Sequence, residues 1–166
     1  AGEVMRILAE YQKRIVPLIQ KHGGTIDKFM GDGIMATFGA TNPSKTYAAD
    51  AIGALDDIVE DLKLWTTDPD LNMLAPLRIN MAIATGPVTF GAVGGDHRLE
   101  YTVIGAAVNL SAKLEKLNKV LKTCALVDKA SYDTATAQGY SPVSKPKAVS
   151  QNVEGTDEKH WLFILH

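Results

Sequence analysis

GGTIDKFMGDGIMATFG, residues 23–39, carries two short β-prone runs, 25–29 and 34–38, around Met30-Gly31-Asp32-Gly33. Asp-Gly between two apolar runs is turn chemistry, because both residues tolerate a positive φ at low cost. The stretch therefore predicts a β-hairpin, and an isolated hairpin is marginal until something packs on it. What precedes it supplies a partner: residues 3–22 place Val4, Leu8, Tyr11, Ile15 and Leu18 on one helical face. Pro17 inside that pattern predicts a kink or interruption, and Gly23-Gly24 a stop. After Pro43 a second helix carries Ala48, Ala51, Ile52, Leu55, Ile58, Val59 and Leu62 at helical spacing.

Further along, residues 66–76 read as a polar loop, and 77–84 and 88–93 as strands around Gly86-Pro87. A strand at 99–104 follows a turn at Gly94-Gly95-Asp96. Gly105 opens a third helix running to about Leu121, and 125–127 is a further short strand. Asp128 is placed to cap a short helix through Ala137. From Tyr140 two strands flank the turn Glu154-Gly155-Thr156-Asp157. Hairpins alternating with helices predict an α+β layer, an antiparallel-rich sheet with helices on one face. A sheet of βαββαβ character needs one more strand ahead of the first helix, and this chain is expected to lack it.

A chain of 166 residues fits one domain with a proper core. Hydrophobic residues at 46% and charged residues at 22% match a soluble globular protein. A net charge of −2 supplies no field for DNA, RNA or anionic lipid, so neither nucleic acid nor membrane is an expected partner. Cys124 is the single cysteine and cannot pair within the chain, which suits a reducing, cytoplasmic compartment.

Asp32 on such a turn projects a carboxylate from a rigid base, as a hard cation wants, and Lys28 lies four residues before it. The whole segment resembles the G-x-x-x-D-K-F-x-G-D-x-x-M-x-x-F signature of class III adenylyl and guanylyl cyclases. The resemblance implies that Asp32 is the second of the family's two metal-binding aspartates. It implies that Lys28 is the lysine at the purine edge in adenylyl cyclases, where guanylyl cyclases usually carry glutamate. An ammonium only donates, so it suits N1 of adenine and not the N1–H of guanine.

RLEYTVIGAAVNLSAKLEKL, residues 98–117, has an apolar helical stripe of Val108, Leu110, Leu114 and Leu117. Asn109, Lys113 and Lys116 fall at i, i+4 and i+7 on another face. The string resembles the family's Y-[DT]-x-x-G-x-x-V-N-x-A-x-R motif. By that resemblance Thr102 is the second purine contact, Asn109 orients the ribose near the attacking 3′-oxygen, and Lys113 stands where the family has a transition-state arginine. Residues 77–94, LRINMAIATGPVTFGAVG, are similar to the strand-turn-strand between the two motifs. Together these matches imply a ferredoxin-like fold, ATP as substrate, and a two-metal Mg²⁺ or Mn²⁺ site. They also imply a head-to-tail homodimer in which Asp32 of one subunit faces Lys28, Thr102, Asn109 and Lys113 of the other. Regulatory or sensor segments are expected outside these residues.

Cyclisation needs no covalent nucleophile: the 3′-hydroxyl attacks the α-phosphorus and pyrophosphate leaves. Catalysis then rests on alignment and on neutralising charge at phosphate oxygens. Three departures from the family bear on it. Nothing matches F-x-D-[IV]-x-x-[FS], which holds the first metal aspartate, so residues 1–166 are expected to be a catalytic domain incomplete at its N-terminus. Lys113 keeps the charge of arginine but loses its planar fork. Val153-Glu154-Gly155 stands where the family often has L-K-G, leaving Lys145 or Lys147 to compensate. The leading expectation is an adenylyl cyclase; the alternative is a degenerate cyclase-like module that binds nucleotide or dimerises with little turnover.

Overall fold

The computed structural model describes residues 1–74 and 78–166. The expected loop at 66–76 and strand at 77–84 each run into 75–77, which lie outside the described residues. The fold is α+β, with antiparallel sheets and helices, and divides into two compact units, 1–79 and 80–166.

The first unit begins with α1 (Gly2–Lys21), which buries Ile15 and Ile19. Val4 belongs to the same stripe by spacing but is 66% exposed, so only the C-terminal part of the stripe is covered. The helix runs through Pro17, contrary to the expected break. Pro17 and Lys13 are both exposed, so the Lys13 carbonyl that proline leaves unbonded can be met by water. Gly23 takes φ +82°, and a Cβ at Gly24 would lie 2.6 Å from Ile19 and 2.7 Å from the Phe38 ring. That close approach ends the helix and starts β1 (Thr25–Met30), which pairs antiparallel with β2 (Gly33–Thr37).

The hairpin closes on Gly31-Asp32, not on Asp-Gly: Met30 pairs with Gly33, and only Gly31 takes a positive φ, +60°. A positive φ confined to the first central residue is the pattern of a II′ turn, whose twist matches the strands it joins. α2 (Tyr47–Thr67) buries Ala48, Ala51, Ile52, Leu55, Ile58 and Val59. It also buries Trp65, whose Nε1 donates to the Leu71 carbonyl at 3.1 Å. Asp57, Asp61 and Trp65 recur every fourth residue and meet α1. Arg14 reaches Asp61 at 2.8 and 3.2 Å and lies 5.2 Å over the Trp65 ring, while Asp57 accepts from His22 at 2.7 Å and Lys21 at 3.3 Å.

In the second unit β3 (Met81–Ile83), β6 (Ala125–Asp128), β8 (Lys159–Ile164) and β7 (Lys147–Asn152) form one sheet in the order β3-β6-β8-β7. β3 and β6 are parallel and the other pairs antiparallel. Between β3 and β6 the chain makes a two-stranded ribbon, β4 (Thr89–Val93) with β5 (Glu100–Ile104), and then α3 (Ala106–Leu121). Leu114 of α3 packs with Leu126, Val153 and Leu162 into a core in which all four are buried. Asn118, fully buried, ties α3 to β3 by donating to the Met81 carbonyl at 2.9 Å. α4 (Lys129–Ala137) is capped by Asp128 as its sequence predicts, the carboxylate accepting from the Ser131 N–H. Tyr132 of α4 stacks on Phe163 at 4.3 Å. Phe163 follows Leu162 in β8, so α4 covers the sheet face opposite α3.

Candidate functional site

Asp32 stands exposed at the hairpin tip and makes no ion pair or hydrogen bond among the described residues. No cluster of three or more potential metal ligands exists among the described residues, so what Asp32 offers is a carboxylate outside any such cluster. Such a group suits Mg²⁺, which takes one or two protein carboxylates and completes its shell with phosphate and water.

Lys28 is half-buried, and its orientation is decided by a feature the sequence does not announce. β1 carries a bulge: Ile26 pairs with Ala36, but Lys28 pairs with Met35, leaving Asp27 as the extra residue. Ala36 and Met35 are neighbours and point to opposite faces, so Lys28 is turned to the face opposite Ile26. Simple alternation would have put both on one face.

Thr102 is buried on β5, directly opposite Gly91 of β4. A Cβ on Gly91 would lie 2.7 Å from the end of the exposed Ile104 side chain, which would have to swing aside to admit it. Asn109 and Lys113 lie one turn apart on α3 and line the same cavity of about 430 Å³. Gly105, the N-cap of α3, has room for no side chain, since a Cβ would approach the Pro87 carbonyl to 2.7 Å. This contact sets the first turn of α3 against the 85–87 loop, which forms the opposite wall of the cavity. Thr85 in that wall lies 2.8 Å from Ser131, and Ser131 donates its proton to Asp128, so Thr85 is the donor to Ser131.

Of the five residues singled out by sequence, then, Asn109 and Lys113 share one cavity. Thr102 belongs to the same unit without lining that cavity, and Lys28 and Asp32 belong to the first unit.

The cavity and its rim add residues to which the sequence reading gave no site role. The Lys113 ammonium sits 2.7 Å from where Gly155 would carry a Cβ, and Gly155 holds φ +79°. Thr156 and His160 complete the lining. Thr156 turns its hydroxyl inward, donating to the Val153 carbonyl at 2.8 Å. His160 Nε2 is buried with no hydrogen-bond partner among the described residues, a condition that typically costs about 1–3 kcal/mol. The signal for His160 was present in the alternation of β8, which puts it on the face of Leu162 and Ile164. Lys147 cannot replace the missing L-K-G lysine. It pairs with Ile164 at the far end of the β7–β8 ladder, five residues and roughly 17 Å from Asn152 at the turn. Lys145 lies further along the chain in the same direction.

The family model described as Adenylate and Guanylate cyclase catalytic domain matches residues 1–163. The chain belongs to that family. Adenylate cyclase 1 of Rhizobium meliloti (strain 1021) is 31% identical to this cyclase domain over 128 residues, 77% of the chain and 19% of that protein. The chain spans about a fifth of the length of the curated relatives it matches. Among solved structures, the adenylyl cyclase CyaB from P. aeruginosa aligns with a TM-score of 0.81 at 27% identity, covering 99% of this chain and 82% of that one. A guanylyl cyclase aligns with a TM-score of 0.78 at 25% identity, covering 98% and 80%. No helix among the described residues of the cyclase domain is long and apolar enough to cross a membrane.

Proposed function

We propose that this cyclase domain is an adenylyl cyclase, converting ATP to cyclic AMP and pyrophosphate at composite sites of a head-to-tail homodimer. The observation that carries the reading is the pairing of Asn109 with Lys113 in one cavity, the Lys113 ammonium having no carboxylate partner among the described residues. A cation left unpaired beside a carboxamide is suited to a phosphate oxygen and a sugar hydroxyl. Asn109 would hold the ribose so that the 3′-oxygen lies in line with the α-phosphorus. The new bond joins O3′ to that phosphorus as the bond to the β-phosphate oxygen breaks, its electron pair leaving with pyrophosphate and the hydroxyl proton passing to solvent water. Lys113 would neutralise charge gathering on the phosphate oxygens, as a fixed cation in a cavity does without reorganising.

Asp32 would hold Mg²⁺ or Mn²⁺, which when bound would acidify the hydroxyl and offset phosphate charge. The family resemblance assigns the other carboxylate, the first of the two metal aspartates, to a strand preceding α1. Lys28 would donate to N1 of adenine, and Thr102 would accept from the exocyclic amino group. The homodimer is supported by the β4–β5 ribbon, where Phe90, Val93, Tyr101 and Ile104 are exposed, Tyr101 by 78%. By register Phe90 and Tyr101 share one face of the ribbon and Val93 and Ile104 the other, so each face offers an exposed apolar pair to a partner. The length of the relatives leaves room for fused sensor domains.

A second reading, a nucleotide-binding or dimerising module with little turnover, is favoured by Lys113 and Glu154 at positions where the family carries arginine and lysine. Full-length protein assayed with Mn²⁺ and either ATP or GTP separates the two. Cyclic AMP and pyrophosphate in equal amounts, with specific activity rising with protein concentration, is the expected result. Nucleotide binding without product selects the module. A preference for GTP, or a Lys28→Glu variant that keeps its preference for ATP, removes the purine assignment.

A further inference from the structure

We propose that His160 is a further nucleotide-contacting residue of this cavity, its imidazole donating to the phosphate chain beside Lys113. The inference rests on the cyclase reading above and deepens it. His160 lines the cavity together with Asn109, Lys113 and Thr156. Neither of its ring nitrogens has a hydrogen-bond partner among the described residues, and Nε2 is buried as well. Buried polar atoms are nearly always paired, and a lasting exception calls for a partner that arrives from outside the chain. An imidazole bonded to nothing turns about χ2 without breaking a hydrogen bond, so it can present Nε2–H to whatever fills the space.

The rest of the lining says what that ligand is. The Lys113 ammonium pairs with no carboxylate among the described residues. The first turn of α3, Ala106 and Ala107, enters the cavity with no side chain capping its N–H groups. Thr85 spends its proton on Ser131, and Thr156 on backbone carbonyls. Those two hydroxyls can therefore meet a ligand only as acceptors, whereas Lys113, the Asn109 amide, the first-turn N–H groups and His160 can donate, and the helix dipole adds to the Lys113 charge. A polyphosphate is the part of a nucleotide with that complement. Glu154, at the position where the family often carries lysine, is exposed on the turn and forms no ion pair with Lys113. His160 lies on β8 two residues beyond the β7–β8 turn region, on the same face as the cavity, and offers a donor in place of that lysine.

The test uses full-length protein and inorganic pyrophosphate as probe, read by calorimetry, with cyclic AMP formation measured on the same samples. His160→Ala is expected to weaken pyrophosphate binding about tenfold or more, as loss of a charge-assisted hydrogen bond does, and to raise KM for ATP. His160→Gln, which keeps a donor at similar reach, is expected to recover part of the loss. Long-range ¹H–¹⁵N spectra of the unmodified protein need no variant and read the same contact: the His160 ring signals are expected to move when pyrophosphate is added. Unmoved ring signals, or equal binding by His160→Ala, overturn the proposal while ATP turnover leaves the cyclase reading intact. Turnover of ATP with no pyrophosphate binding at all also overturns it. Loss of both binding and turnover in the unmodified protein overturns the two readings together.

Discussion

Replacing Gly155 by alanine tests whether the β7–β8 turn holds Lys113 in its working place. Two costs can be read from the structure. Gly155 has φ +79°, a left-handed conformation that costs an alanine about 1–2 kcal/mol. For a chain of this length each kcal/mol lowers Tm by about 2–4 °C, so Gly155→Ala is expected to lose about 2–8 °C. The new Cβ would also lie 2.7 Å from Lys113 Nζ and 3.5 Å from its Cε. Taking ordinary contact near 3.5 Å, the ammonium must retreat by roughly 0.8 Å. A displacement of about 1 Å of a charge-stabilising group costs up to about 10²-fold in rate, so kcat is expected to drop about 10- to 100-fold. The assay is a double-mutant cycle on cyclic AMP formation, with Lys113→Ala as the second change and Tm recorded for each variant. If the turn acts through Lys113, Gly155→Ala changes kcat little once Lys113 is gone, though Tm still falls. An equal kcat loss in both backgrounds would refute the reasoning, because the turn would then act by some other route.

Three further outcomes follow from the same geometry. Lys113→Arg restores a planar fork that can meet two phosphate oxygens, and is expected to raise kcat about tenfold; an unchanged rate takes Lys113 out of phosphate contact. Leu162→Ala empties a fully buried position against Leu114 and Leu126 and is expected to cost about 2–5 kcal/mol in chemical denaturation, whereas Trp161→Ala, at a position 56% exposed, should cost far less; similar losses would contradict the placement of the core. Asp57 is held below the ordinary carboxylate value of 3.8, chiefly by the hydrogen bond from His22 and then by Lys21, against the opposing effect of burial. A depressed folded pKa stabilises above the unfolded value and loses that contribution as pH falls through the folded one. The carboxylate is 38% exposed, which limits the effect to about 1 kcal/mol or less. Asp57→Asn should therefore lower Tm near pH 7 and match the unmodified protein well below pH 3.8, and a gap independent of pH would count against the pairing.

The sequence by itself determined the elements and the family. The hairpin at 23–39, the Asp128 cap and the strands around Glu154–Asp157 were legible because turns and caps are local: the residues that satisfy the backbone lie within a few positions of it. The Asn109–Lys113 pair was legible for the same reason, since four residues span one helical turn. Only the tertiary structure decided what depends on residues far apart in the chain. The bulge at Asp27 reverses Lys28 relative to Ile26, and no alternation rule contains it, because a bulge is fixed by pairing with a partner strand. Pro17 was tolerated because of where it lies on the helix, not because of what it is. Lys147 looked able to replace a missing cation until the ladder put a whole strand between it and the turn. His160 and Gly155 join Lys113 across more than forty residues of sequence, through a sheet register that one chain of letters does not record.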